Sequence, residues 1–570
     1  MTLDNKKSRG ALTDVLLALG INIAFLAFML CFFAVRFETN DDVLMSKFVD
    51  GQMAEKTAFV PFINIVLGWL LKILYTVGGD GFPWWSFCEY LLTLAGFTAV
   101  TWLLLRRFKL FPALVMTVFI LSAFASDCYL SMNFSKPAAA GTVGGLALML
   151  YAMRHESGRV QLPPLVTGAV MCVFAFLWRY EEFLICAAVM AGVGVCALAE
   201  IAGEHKGEKT GTVLRAMLRY AAPFLVLLVI VVGLFGVNLL AWNSDEYRDY
   251  YEFDWTRSIL IDWYVPPYEQ MSEVYDSLGM DETAVKLFET WNFYDTEKFT
   301  TESLQKVIDA RAKLSVRPGL GECLGIFLQK CILGFYKERP LTGFLLMLAL
   351  FLCAGKRETS VRAGLGWMAA VFFAMYMFFI YTDRYLVNRI DIGIFMAMAV
   401  SLSWYLSPER LENEKLMLTA LLLISLFVGW RSCRSVCYLD SHSEIDDKSG
   451  EKAAVDLILE DTEHLYFTKF MAIDHELYTP LETAPAGYGD RIISIGSWCC
   501  RHPAIERVLD AWGIENPYAD IVGNDKVYII DQDIDTTIKY IRKYYCPTAH
   551  AEKAEPLSSE TGLMIYRIME

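Results

Sequence analysis

Two adjacent carboxylates, Asp41 and Asp42, stand just after the first long apolar stretch of the chain. They follow Asn40, which closes the segment Phe37-Glu38-Thr39-Asn40. A carboxylate at the edge of a membrane can take a proton from a hydroxyl group, and a neighbouring one can position that hydroxyl or hold a metal ion. Adjacent residues of a helix point about 100° apart, so both need not face one substrate. A solvated helix cap is the alternative interpretation.

Four basic side chains are predicted to lie at the same membrane depth as the two aspartates. They are candidates for binding the phosphate of a lipid-linked donor: Arg384, Arg389, Arg179 and Lys136. A cation beside a departing phosphate offsets the charge that develops during group transfer. The alternatives are a snorkelling anchor for Arg384 and Arg389, a local ion pair for Arg179, and a helix cap for Lys136.

A polar loop in the middle of the chain carries a further candidate set. Together with Asn40, its residues could line an acceptor cleft: Asp254, Arg257, Asp262 and Tyr268. A solvated loop face is the alternative for these residues.

The elements that position these residues are predicted to be membrane-spanning helices. The 570 residues are 55% hydrophobic with a mean hydropathy of +0.38, and apolar runs near the ~20 residues needed for a crossing recur along the chain. We predict an α-helical polytopic membrane protein of about 11 spans, at residues 11–35, 83–105, 110–125, 137–153, 162–178, 183–199, 221–242, 341–354, 363–381, 392–406 and 416–430.

The distribution of basic residues predicts the orientation. Lys6, Lys7 and Arg9 place the N-terminus in the cytoplasm, and every strongly basic loop stays inside if the runs 59–77 and 321–339 lie along the outer interface. Whether 321–339 crosses stays open. The polar residues then predicted at the outer face are Asn40, Asp41, Asp42, Glu89, Asn133, Lys136, Arg179, Glu181, Glu182, Asp383, Arg384, Arg389 and Asp391.

Two domains are predicted. Residues 1–430 form the transmembrane domain, with outer loops 36–82 and 243–340, and residues 431–570 form an extracytoplasmic α/β domain. In that second domain we predict helices at 451–461, 501–512 and 534–545 and strands at 464–467, 491–497, 526–530 and 563–568. An outside location leaves open a disulfide such as Cys500–Cys546.

The charge balance argues against nucleic acid as a partner. Residues 243–319 hold 16 acidic and 8 basic residues, and residues 431–570 hold 25 acidic and 14 basic residues. Both polar regions would repel a polyanion. The chain also has no G-x-G-x-x-G or Walker A motif in its C-terminal domain.

A carboxylate motif in the first outer loop of a protein with about eleven spans resembles the GT-C glycosyltransferases, which use polyprenyl-phosphate sugars. The chain is also similar to a group of multi-pass proteins of Gram-positive bacteria. The motifs that carry this second likeness are Asn40-Asp41-Asp42-Val43-Leu44-Met45, Asp262-Trp263-Tyr264-Val265-Pro266-Pro267-Tyr268 and Asp383-Arg384-Tyr385-Leu386-Val387-Asn388-Arg389. The GT-C resemblance implies that Asp41 or Asp42 is the base and that Arg384 and Arg389 hold the donor phosphate.

The function that this resemblance implies is transfer of a sugar, with inversion, from a polyprenyl-phosphate donor to a cell-envelope glycan, glycolipid or protein at the outer face of the plasma membrane. Membrane lipid, the donor and the acceptor are the expected partners, and a divalent metal stays open as a cofactor. The alternatives are a transporter or flippase of a lipid-linked glycan and a non-catalytic scaffold for envelope assembly. Span centres free of charge argue against a transporter.

Overall fold

A computed structural model describes residues 10–153, 160–314, 317–337, 339–382, 384, 387–438, 448–473 and 477–570. The predictions for Lys6, Lys7 and Arg9, and those for Asp383, Tyr385 and Leu386 of the late loop, fall outside these ranges.

The described residues up to 438 form helices joined by loops, with one pair of two-residue strands. In chain order, the elements are α1 (Ala11–Phe32), β1 (Arg36–Phe37), α2 (Asn40–Asp50), α3 (Ile65–Gly78), α4 (Trp84–Arg107), α5 (Leu110–Ile120), which continues through a π-helical turn (Leu121–Ala125) into α6 (Ser126–Leu130), β2 (Ser131–Met132), α7 (Ser135–Met153), α8 (Leu162–Trp178), α9 (Tyr180–Glu204), α10 (Thr210–Trp242), α11 (Arg248–Ile261), a 3-10 turn (Tyr268–Gln270), α12 (Ser272–Ser277), α13 (Glu282–Glu289), α14 (Thr301–Leu314), α15 (Leu320–Lys337), α16 (Arg339–Ala354), α17 (Thr359–Tyr381), α18 (Asn388–Trp404), α19 (Pro408–Asn413) and α20 (Lys415–Tyr438).

Seven helices in the described part of the chain are long and apolar enough to cross a membrane: Ala11–Phe32, Trp84–Arg107, Leu110–Leu130, Tyr180–Glu204, Thr210–Trp242, Thr359–Tyr381 and Lys415–Arg434. Three shorter apolar helices accompany them, at Ile65–Gly78, Leu162–Trp178 and Pro340–Ala354. The multi-span helical fold predicted from the sequence is therefore confirmed.

Two of the predicted spans, α7 and α18, are almost entirely buried by other helices. They pack closely because glycines remove side chains from the contacts. A Cβ on Gly96 of α4 would clash with the carbonyl oxygen of Ala140 in α7, and Gly145 of α7 and Gly168 of α8 face each other in the same way. Small residues of this kind let helix backbones approach within a membrane.

The helix bundle has two ends, which side-chain contacts define. At one end, here called the Arg107 end, Arg106 pairs with Asp14 at 3.3 Å, and Arg107 donates to the carbonyls of Ser403 and Trp404 at 2.9 and 2.8 Å. The other end, here called the Asp42 end, holds α2, the start of α7 and the end of α8.

Helix α3 starts and finishes at the Asp42 end. The backbone N–H of Asn64 donates to Leu177 at 2.8 Å, and the backbone N–H of Trp85 donates to the Tyr75 hydroxyl at 3.1 Å. Helix α1 ends at the Asp42 end, and α4 begins there. The segment between them, which includes α3, therefore makes no net crossing of the bundle.

The region α15–α16 begins at the Asp42 end, where Arg317 stacks over Tyr381. It finishes at the Arg107 end, where Gly355 bridges to Leu406. Because the region begins at one end of the bundle and finishes at the other, it crosses the bundle an odd number of times. Helices α15 and α16 therefore do not both cross it.

The C-terminal region folds around a five-stranded mixed sheet. Its elements are α21 (Lys448–Glu460), β3 (Leu465–Thr468), α22 (Tyr488–Arg491), β4 (Ile492–Ser494), α23 (Pro503–Trp512), α24 (Pro517–Asp520), β5 (Val527–Ile530), α25 (Ile534–Tyr544), β6 (His550–Lys553), α26 (Leu557–Thr561) and β7 (Ile565–Met569). The strand order is β4-β3-β5-β7-β6, parallel in the first three strands and antiparallel in the last two pairings. The predicted α/β character is confirmed, and β6 is a strand that the sequence did not predict. Cys500 and Cys546 are both free thiols.

Candidate functional site

Asp42 is fully buried in the first turn of α2. The short parallel pairing of β1 with β2 sets the segment before Asp42 beside the segment before Asn133. Consequently, the backbone N–H of Phe134 donates to Asp42 at 2.9 Å, and the Asn133 amide donates to its other oxygen at 3.1 Å. Burial raises the pKa of Asp42 well above its ordinary value, and the charge of Asp41 adds to this effect.

Glu89 of α4 lies against Asp42 and is also buried, at 1% exposure. Among the described residues, neither Glu89 carboxylate oxygen meets a hydrogen-bond donor. Asp42 is held by the two donors of the segment Asn133–Phe134 and is closed to solvent, so its geometry favours a structural role.

Asp41 is half-buried, in contrast to Asp42. The indole N–H of Trp498, from the C-terminal region, donates to Asp41 Oδ1 at 3.1 Å. The Thr39 hydroxyl lies 3.4 Å from Oδ2. Of the two adjacent carboxylates, Asp41 is therefore the one with an accessible oxygen.

The middle loop brings three of its predicted residues next to Asp41. Arg257, only 1% exposed, donates to Asp254 through Nε at 2.9 Å and through Nη2 at 2.5 Å, and lies 3.4 Å from Asp262. The charge of Asp41 contributes to a raised pKa at both Asp254 and Asp262. Partial desolvation is the larger cause for Asp262 and raises its pKa to about 6.

Arg389 and Arg384 lie at the same cluster. The positive charge of Arg389 opposes the rise in the pKa of Asp262, so the two groups are within electrostatic reach. Arg389 makes no hydrogen bond or ion pair with any described residue. Arg384 is exposed, with its guanidinium stacked 4.2 Å from the ring centroid of Trp263. Both guanidinium groups therefore have hydrogen-bond donors to offer a ligand.

Lys136 differs from the two arginines because it is completely buried. Its ammonium contacts Asp127 and Glu38, each at 2.6 Å, and also donates to the Ser131 carbonyl. These three partners saturate the three N–H donors of an ammonium group. The geometry favours a structural role for Lys136.

The remaining predicted residues occupy different positions. Arg179 stacks 4.5 Å from the ring centroid of Phe134, whose backbone N–H binds Asp42, so it borders the site. Asn40 is half-buried in the first turn of α2. Tyr268 instead donates to Asp276 at 2.7 Å within the middle loop, and the structure does not bring it to Asp41.

Comparison with known proteins yields likenesses to solved structures only. No protein-family model matches the chain, and no curated protein matches it. The chain is similar to the crystal structures of ArnT from Cupriavidus metallidurans bound to undecaprenyl phosphate and in the apo state. Each comparison covers 97% of both chains with a TM-score of 0.40, at 12% and 11% sequence identity. Because this TM-score is below 0.5, we assign roles from the residues of this chain alone.

Two contributors to the site escaped prediction as site residues. Glu89 stands in the sequence as a single acid within an apolar run, which signals a buried charge with a function or a partner. Trp498 follows Asp41 by 457 residues, and no local pattern relates them. Within the described ranges, no three His, Cys, Asp or Glu side chains are arranged to hold a metal ion.

Proposed function

We propose that this protein is a membrane glycosyltransferase that moves a sugar from a polyprenyl-phosphate donor to an acceptor hydroxyl at the outer face of the membrane. The observation that carries the proposal is that the half-buried carboxylate of Asp41 and the guanidinium of Arg389 both lie within electrostatic reach of Asp262. Arg389 makes no hydrogen bond or ion pair with the described residues. These residues come from distant parts of the chain and lie at the same end of an apolar helix bundle.

In the proposed reaction, Asp41 accepts the proton of the acceptor hydroxyl as its oxygen attacks the anomeric carbon of the sugar. The bond between that carbon and the phosphate oxygen breaks, and its electron pair leaves with the polyprenyl phosphate. Arg389 and Arg384 offset the charge on the departing phosphate. A single displacement of this kind inverts the anomeric configuration.

The burial of Asp42 supports Asp41, and not Asp42, as the base. A fully buried carboxyl group that already accepts from Asn133 and Phe134 is closed to an acceptor hydroxyl. Asp42 instead anchors the first turn of α2 to the segment Asn133–Phe134. Asp254 and Asp262 are then placed to bind hydroxyl groups of the acceptor.

The Asp42 end is proposed to face the exterior. The opposite end carries basic residues that the cytoplasmic side favours: Arg106, Arg107, Lys109, Lys356, Arg357, Arg362 and Arg410. The acidic middle loop lies at the Asp42 end. With this orientation, the polyprenyl tail stays in the bilayer and its phosphate sits beside the arginines.

The proposal is tested with the full chain in lipid nanodiscs and a panel of undecaprenyl phosphates carrying a labelled hexose, N-acetylhexosamine or pentose. Release of undecaprenyl phosphate reports transfer to added glycan or to water. We expect turnover with at least one donor and a loss of about 100-fold or more in Asp41→Asn, because a general base contributes 10²–10⁴-fold.

Asp80→Asn is the matched control, since Asp80 is an exposed acid of the same outer loop that pairs only with Lys56 among its described neighbours. Its activity should equal that of the wild type. An Asp41→Asn variant with full activity would remove the proposed base, and facilitated movement of an intact donor across the bilayer in that variant would favour the flippase.

A further inference from the structure

The C-terminal region reaches into the candidate site through one side chain. Trp498 is 3% exposed, and its indole N–H makes the shortest hydrogen bond that Asp41 receives from the described residues. We propose that Trp498 is a positioning residue for Asp41, so that the soluble domain completes the active site. This inference rests on the proposed function, in which Asp41 is the base.

The Trp498 side chain contacts two aromatic rings, and the backbone of Trp498 accepts a further hydrogen bond. It packs against Phe48 of α2 at 5.7 Å and against Phe62 at 5.5 Å between ring centroids. The hydroxyl of Tyr250, from α11, donates to the Trp498 carbonyl at 2.9 Å. The outer loop, the middle loop and the C-terminal region therefore fix one side chain together.

Backbone strain is concentrated around this residue. Among the described residues other than glycine, five have positive φ. Two of them adjoin Trp498, namely Phe62 through its ring and Ser497 along the chain, Arg501 follows Trp498 by three residues, and Trp291 accepts from Ser497. The N–H of Ser497 donates to the Trp291 carbonyl at 3.1 Å, and Gly496 approaches the same carbonyl so closely that a Cβ would clash. Strained backbone persists only where its surroundings hold it, and it occurs often at functional sites.

The surrounding contacts make the docking of the C-terminal region extensive. His502 contacts the Phe59 carbonyl through Nε2 at 2.9 Å, and its ring lies 4.4 Å from that of Phe48. Lys47, on the same helix as Asp41, lies 3.8 Å from the ring centroid of Tyr488. A domain attached in this way can hold Trp498 at a constant position relative to α2.

The consequence for the reaction is orientation of the carboxylate. The indole donor occupies Oδ1 and leaves Oδ2, with its long contact to Thr39, as the oxygen that meets the acceptor hydroxyl. Without that donor, the Asp41 carboxylate would rotate among several conformations. A misplacement of about 1 Å at a reacting group can cost on the order of 100-fold in rate.

The test removes the indole N–H while keeping its shape. In one variant of the full chain, phenylalanine replaces Trp498. In a second variant, amber suppression introduces β-(3-benzothienyl)alanine at position 498, in which a sulfur atom takes the place of the N–H group. We expect kcat with the undecaprenyl-phosphate donors to fall about 10- to 100-fold in both variants. The donor KM should stay within about 2-fold, and the benzothienyl variant should keep the wild-type melting temperature.

Trp512→Phe is the control, because Trp512 lies in the same domain and stacks with Arg491. A second measurement needs no turnover: the indole N–H resonance of Trp498, identified by its loss in Trp498→Phe, should shift in Asp41→Asn and stay in place in Asp80→Asn.

The outcomes separate this inference from the proposed function. If Asp41→Asn is inactive but the benzothienyl variant keeps the wild-type kcat, Trp498 does not position the base. The same conclusion follows if the chemical shift of the Trp498 indole N–H is unchanged in Asp41→Asn. If Asp41→Asn is fully active, the proposed function fails, and the positioning role fails with it.

Discussion

Asp41 and Asp42 are adjacent in sequence, yet their surroundings give them different properties. Asp42 accepts from two fixed donors and is fully buried beside Glu89, whereas Asp41 is half-buried and lies within electrostatic reach of Asp254 and Asp262. The difference arises because consecutive residues of the helix point in different directions.

The Asp42–Glu89 pair leads to a prediction about stability. Asp42→Asn would turn an amide N–H₂ toward either the Phe134 N–H or the Asn133 amide, and a buried donor without a partner costs about 1–3 kcal/mol. Glu89→Gln instead places an amide donor beside the Asp42 carboxylate, which can accept from it, and removes one of two neighbouring buried acids. Thermal unfolding in detergent should therefore show a clearly lower melting temperature for Asp42→Asn than for Glu89→Gln, and equal melting temperatures would contradict this account of the pair.

At the scale of single residues, the sequence predicted the identity of the acids better than their roles. The motif at Asp41 and Asp42 could be located, but which carboxylate is open depends on Asn133 and Glu89. The spacing of Asp254 and Arg257 suggested a solvated face as the alternative. Arg257 is instead 1% exposed, because the middle loop folds over the Asp42 end.

At the scale of elements, Lys136 ties three segments into the platform beneath the site. Glu38 follows β1, Asp127 belongs to α6, and Lys136 lies in the first turn of α7. The geometry of α2 thus depends on an ion pair away from the substrate.

Replacing Lys136 with methionine should therefore destabilise the protein by about 3–5 kcal/mol, since removal of one partner leaves buried charges unpaired. Lys306→Met is the control, because Lys306 and its partner Glu302, 2.8 Å apart, are 56% and 79% exposed, and such a surface pair is worth about 0–1 kcal/mol. Unfolding in denaturant measures the free energy of unfolding of both variants. A Lys136→Met protein that unfolds like the wild type but has a raised donor KM would instead place Lys136 at the donor phosphate.

The helices were easier to predict than the short strands. Apolar runs identified the positions of the long helices, because a run near 20 residues is a strong signal. The pairing of β1 with β2 spans two residues in each strand and joins segments about 95 residues apart in the sequence. Strands this short have no periodic pattern from which the pairing could be predicted. Strand β6, His-Ala-Glu-Lys, is polar and largely exposed at the sheet edge, which explains why it was missed.

At the scale of the whole molecule, the two ends of the bundle differ in charge, and this difference predicts orientation. The C-terminal region packs on α2 at the Asp42 end, so it must lie on the same side of the membrane as Asp41. One assay that finds the side of the membrane on which the C-terminal region lies therefore also locates Asp41.

A Lys553→Cys variant reports this orientation, since Lys553 lies on the exposed strand β6. In intact cells, a membrane-impermeant maleimide should label it, whereas a cysteine in place of Lys206 should react only after permeabilisation. The reverse pattern would place the site in the cytoplasm and exclude an outer-face reaction.

The central claim is that distant parts of the chain form one cleft for a polyprenyl phosphate beside Asp41. Photolabelling with an undecaprenyl phosphate that carries a diazirine next to its phosphate tests this most directly, with mass spectrometry to map the sites. We predict labelling within residues 254–263 and 384–391 that excess undecaprenyl phosphate suppresses. Competed labelling confined to the Arg107 end, at residues 102–109 or 403–412, would contradict the account.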